Sequence, residues 1–135
     1  MGDDLQINRE VMKDLLCRLT DPEESIREDA VEALSVTTED EEWRPNELIS
    51  QGGIETVAGL LQEENPHILE SALDIIIAIA AAGGEEDLIT GGVIARLDPM
   101  QDHKDPLIRK KVREALWLVE PEVEDVVTSK PQDDY

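Results

Sequence analysis

Few side chains in this 135-residue sequence are suited to nucleophilic or metal chemistry. The two histidines, His67 and His103, lie beside turn signals, with no second His or Cys at metal-ligand spacing. They read as surface turn residues, and no metal or cofactor is expected. Cys17 stands in Leu15-Leu16-Cys17-Arg18-Leu19, an apolar helical run without a His/Asp constellation to activate a thiol. It reads as a buried structural cysteine. Carboxylates abound, with 33 Asp and Glu. A general acid and base, however, need a desolvated pocket to separate their pKa values, and no pattern marks one. Residues 39–42 lack the Asp-x-Asp-x-Asp-Gly spacing of a calcium loop. The pairs Gly52-Gly53 and Gly91-Gly92 follow no strand and precede no Gly-Lys-Ser/Thr, so they read as helix ends rather than phosphate cradles. No catalytic residue is assigned.

Bulk composition narrows the remaining classes. Twelve Lys and Arg against 33 Asp and Glu give a net charge of −21. Such a chain repels DNA, RNA and anionic membranes, so nucleic acid and membrane are not expected partners. The acidity is either an adaptation to a salty cytoplasm or a field that attracts a basic partner. The acids cluster at 39–42, 63–64, 85–87 and 133–134, between apolar stretches, as solvated loops and helix starts do. The longest apolar run, 75–82, is far shorter than a membrane span. The opening Met1-Gly2-Asp3-Asp4 has no signal-peptide pattern, and Gln6 stands where a myristoylation signal needs Ser or Thr. A single cysteine allows no internal disulfide and fits a reducing compartment, so a cytoplasmic location is expected.

The elements that must position these residues repeat. Three turn signals, Asp21-Pro22, Asn65-Pro66 and Asp105-Pro106, each precede the same apolar pattern. The copies are Ile26, Ala30, Ala33, Leu34; then Ile68, Ala72, Ile75, Ile76; then Ile108, Val112, Ala115, Leu116. Offsets from the leading Ile are 0, 4, 7 and 8 in each, which is one face of a helix. The copies begin 42 and then 40 residues apart. Each Asp/Asn-Pro pair is expected to cap its helix and pre-set the first turn. Between the long helices lies a second repeated element. Glu47-Leu48-Ile49-Ser50-Gln51-Gly52-Gly53-Ile54 matches Asp87-Leu88-Ile89-Thr90-Gly91-Gly92-Val93, and Glu124-Asp125-Val126-Val127-Thr128 is a partial third copy. Each reads as a short helix closed by a Gly corner where the pair is present. A middle helix then carries Ile54, Val57, Leu60 and Leu61, or Val93 or Ile94 with Leu97 and Met100.

A period of 40–42 with this three-helix grammar resembles the armadillo repeat, within the wider armadillo/HEAT class. The resemblance is carried by Gly52-Gly53-Ile54, Leu60-Leu61, Asn65-Pro66, Ile68, Ala72, Ile75-Ile76 and Ile79-Ala80, and covers roughly 7–128. It implies an all-α, right-handed α-α superhelix of about three repeats, at about 7–46, 47–86 and 87–128. These form a single domain over 1–128, followed by a disordered acidic tail at 129–135. Stacked units share one core, and end units differ because each shows one face to water.

In the armadillo family the long third helices line a concave side that holds an extended peptide or a helix. A Trp at offset 6 and an Asn at offset 10 make the key contacts there. This chain departs from that pattern: Glu32, Asp74 and Glu114 stand at offset 6, and Val36, Ala78 and Leu118 at offset 10. Offset 3 holds Asp29, Ser71 and Lys111, and offset 2 holds Glu28, Glu70 and Lys110. The inner surface therefore reads as an acidic ladder over a smaller apolar row. That surface suits a basic or amphipathic helical segment of a partner protein. The expected function is a non-catalytic interaction module, an adaptor or scaffold. The alternatives are a small HEAT-like enzyme or accessory factor of the lyase type, and a self-associating subunit forming a homo-oligomer. Trp43 reads either as a plug in the core or as an exposed anchor. Trp117 reads as core or end-cap packing, or, if exposed with Leu118, as a docking patch at the end of the stack.

Overall fold

A computed structural model describes residues 9–119, and among them there is no strand. The helices are α1 (Arg9–Arg18), α2 (Glu24–Thr37), α3 (Asn46–Ser50), α4 (Gly53–Gly59), α5 (Pro66–Ala81), α6 (Glu85–Thr90), α7 (Val93–Leu97) and α8 (Pro106–Val119). One-turn 3-10 helices, Leu60–Gln62 and Asp98–Asp102, extend α4 and α7. The partial copy at 124–128 and the tail at 129–135 lie outside the described residues.

Short and middle helices meet at a sharp corner whose geometry explains the Gly pairs. Gly52 and Gly92 adopt the left-handed conformation, with φ of 75° and 78°, which other residues reach only at a cost. The next residue, Gly53, is buried, and a Cβ there would stand 2.7 Å from both Cγ and the carbonyl oxygen of Leu48. Each corner thus lets a buried leucine, Leu48 or Leu88, anchor the short helix.

The long helices form a row in which α5 packs between α2 and α8. Its buried set is Ile68, Leu69, Ala72, Leu73, Ile75, Ile76, Ile79 and Ala80, too wide a stripe for a helix covered on one side only. Asn65 starts this helix as the sequence requires: its Oδ1 accepts from the backbone N–H groups of His67 and Ile68, with Pro66 in the first turn. Asp105 Oδ1 accepts from Leu107 N at 2.9 Å and serves α8 likewise.

Asp21 does not cap α2. Asp21-Pro22 stands two residues earlier relative to the leading Ile than the other two pairs do. Asp21 Oδ1 accepts from Glu23 N at 2.8 Å, and Glu23 becomes the N-cap. Ala33 is exposed although Ile75 and Ala115, its equivalents, are fully buried. The difference is positional: α5 and α8 each have a long helix before them in the row, whereas before α2 only the ten-residue α1 packs against it. Cys17 is exposed, not buried. The core stripe of α1 runs through Met12 and Leu16 and on to Leu19, and Cys17 falls one residue off it. Trp117 is 64% exposed, so it is not core packing; Leu118 beside it is half-buried against the core. Trp43 packs half-buried against the core.

Candidate partner-binding face

The ten residues expected to face a partner all lie off the buried stripe. On α2, Asp29, Glu32 and Val36 are exposed and Glu28 is half-buried. On α5, Glu70, Ser71, Asp74 and Ala78 are half-buried. On α8, Glu114 is exposed and Leu118 half-buried. α2, α5 and α8 pack in a row, each carrying the same repeat pattern. The acids at offset 6 (Glu32, Asp74, Glu114) therefore occupy equivalent positions on adjacent helices.

Two of these acids are already engaged. Asp74 Oδ1 accepts from Lys111 Nζ at 2.7 Å, which joins α5 to α8. Glu28 Oε1 accepts from Asn65 Nδ2 at 3.1 Å, and Glu24 Oε2 accepts from the same nitrogen at 2.6 Å. Asn65 thus caps α5 with its oxygen and ties α2 to α5 with its nitrogen. The acidic character that remains free is concentrated in Asp29, Glu32, Glu70 and Glu114.

A further joint between α2 and the start of α5 holds the row in register. Arg27 Nε and Nη2 donate to Glu63 Oε2 and Oε1 at 2.7 and 3.2 Å, a two-point contact. Its Nη1 donates to the Asp21 carbonyl at 2.7 Å. The guanidinium is held above its ordinary pKa, chiefly by the Glu63 hydrogen bond. Burial opposes this, while the charges of Glu63, Glu24 and Asp21 assist. Arg9 Nε meets Glu47 Oε2 at 3.2 Å and links α1 to α3.

Among the described residues no group of three or more His, Cys, Asp or Glu side chains is placed to hold a metal ion. His67 is exposed. His103 is half-buried, and its Nδ1 accepts from Asp105 N at 3.0 Å; it braces the turn before α8. Two open clefts of about 480 and 470 Å³ lie beside Glu63 and Glu64 and beside Pro45 and Gly84, and none of the ten residues lines either. No described helix is long and apolar enough to cross a membrane.

No family model matches the chain, and no curated protein does. Solved structures do. A designed armadillo repeat protein in complex with the peptide (KR)4 superposes with a TM-score of 0.76 at 21% identity, covering 82% of this chain and 47% of that one. The fold is an armadillo-like solenoid. Two engineered proteins superpose at TM-score 0.75 and 18% identity, covering 83% and 82% of this chain and 47% and 45% of theirs. The chain thus spans about half the length of these structures.

The solenoid makes sense of the engaged acids. In a stack each unit touches only its neighbours, so polar residues on the long helices divide between joining units and facing solvent. Lys111, Arg27 and Asn65 join units. Sequence reading of single helices placed the acids on a face but missed these joints, because each spans 36 to 41 residues. No repeated pattern signals them: Lys111 stands where the earlier copies have Asp29 and Ser71, and Leu69 stands between Arg27 and Arg109 at the same offset.

Proposed function

We propose that this chain is a non-catalytic protein–protein interaction module. It holds a basic or amphipathic segment of a partner protein along the row formed by α2, α5 and α8. The observation that supports it is the recurrence of Glu32, Asp74 and Glu114 at one offset on three adjacent helices, off the core in each. Asp29 and Glu70 flank the acids, while Val36, Ala78 and Leu118 supply an apolar edge. The designed repeat protein with the same fold is in complex with an alternating Lys/Arg peptide. An exposed ion pair contributes only about 0–1 kcal/mol, so affinity comes from several acids acting together and from the apolar edge. The units at about 7–46, 47–86 and 87–128 act as one domain, in a cytoplasmic setting.

The test is calorimetric titration of a Lys/Arg-rich peptide at low and physiological salt. The wild-type chain is compared with the triple variant Glu32→Lys, Asp74→Lys, Glu114→Lys. Salt-sensitive binding that vanishes in the variant, with helicity retained, is the expected result. Undiminished binding by the variant would refute the assignment.

A further inference from the structure

The two ends of the described stack differ in charge, and each carries half of a joint that the interior already makes. Inside the stack, Arg27 is the residue after the leading Ile26, and it holds Glu63, five residues before the next leading Ile68. Glu28, two after Ile26, holds Asn65, three before Ile68. On α8 the equivalents of Arg27 and Glu28 are Arg109 and Lys110. Arg109 takes up the posture of Arg27: its Nη1 donates to the His103 carbonyl at 2.7 Å, just as Arg27 Nη1 donates to that of Asp21. Arg27 spends Nε and Nη2 on Glu63, but the same atoms of Arg109 meet no acceptor among the described residues.

The face around Arg109 is polar. Where α5 buries Leu69 and Leu73 against its neighbours, α8 has half-buried Arg109 and exposed Arg113. At the opposite end of the stack, the residues equivalent to Glu63 and Asn65 are Asp21 and Glu23, half-buried and exposed. One step of the internal register beyond α8 therefore sets Arg109 against Asp21, and Lys110 against Glu23, of an incoming chain.

We propose that a second copy of this chain stacks head to tail on α8 through these two pairs. Both copies are strongly acidic, but at about 0.15 M salt charges more than about 8 Å apart are largely screened while contact pairs persist. The contact is heterologous, so every added copy presents the same two faces and assembly has no built-in stop. The register also makes one like-signed approach, Glu114 to Asp29, at the positions of Asp74 and Lys111.

The experiment is sedimentation equilibrium of the full chain at physiological salt over rising concentration. The expected result is an average mass that climbs from the 15.0 kDa of one chain past that of a dimer. Two variants, Arg109→Gln with Lys110→Gln and Asp21→Asn with Glu23→Gln, are each expected to stay monomeric. Mixed in equal amounts they are expected to form a dimer and stop there, since only one joint is then complete. Glu114→Lys is expected to strengthen association. A wild-type chain that stays monomeric, one that stops at a dimer, or a Gln variant that associates like the wild type would each overturn the proposal.

Discussion

Lys111 Nζ lies 2.7 Å from Asp74 Oδ1, across the joint between α8 and α5. The middle acid of the ladder is thereby neutralised by the next unit, and its side chain is left 42% exposed. Lys111→Ala is expected to free that carboxylate and tighten binding of a Lys/Arg peptide several-fold. Its cost in stability is expected to be on the order of 1 kcal/mol, the upper end of the range for exposed pairs, because this pair is partly buried. Calorimetric titration and urea denaturation of the same variant check both halves.

Asn65 both caps α5 and joins two units. Asn65→Asp keeps the oxygen that caps α5 but places a third carboxylate against Glu24 and Glu28, which now approach its nitrogen at 2.6 and 3.1 Å. Crowded like charges raise carboxylate pKa values in the folded state. The variant is therefore expected to be less stable than the wild type at pH 7, with the deficit shrinking as pH falls through about 4, where carboxylates take up protons. Denaturant midpoints across that range are the measurement.

At Gly52 the backbone is left-handed, with φ of 75° and nothing within 4 Å of a built Cβ. Gly52→Ala is thus expected to cost about 1–2 kcal/mol from conformation alone. Gly53→Ala is expected to cost more, because its methyl would overlap Leu48. Urea melts of the two variants rank them.

Ile75 and Ala33 occupy the same repeat position with opposite burial. Ile75→Ala, at 0% exposure, is expected to lose about 2–5 kcal/mol. Ala33→Ser is expected to stay within about 0.5 kcal/mol, as exposed substitutions do. Equal costs at the two sites would show α2 to be covered as α5 is.

Cys17 is exposed on α1. The native chain is expected to react stoichiometrically with a thiol reagent without denaturant. Reaction only after unfolding would contradict the exposure.

How far the fold could be read in advance depends on the scale of the contact. Periodicity within one helix fixed which side of α5 is apolar, and Ile68, Ala72, Ile75 and Ile76 are all buried. Periodicity does not reveal whether a neighbouring helix is there to cover a side, which is why Ala33 reads as core and Trp117 as either packing or an exposed docking patch. The Asp21 cap failed for a similar reason: the residue type was right, but its distance from the leading Ile was two residues too long. Of the candidate face, the recurrence of acids at offset 6 is legible in the sequence. The Lys111–Asp74 pair is not, since its partners are 37 residues apart and meet only once two units stack.

The central position of α5 has a mechanical consequence. Its eight buried residues are clamped from both flanks, whereas α2 and α8 each lean on one neighbour in the row. Under tension applied through the two termini, such an array peels from its extremities inward. The outer units yield first at low force, and α5 is the last segment to give way.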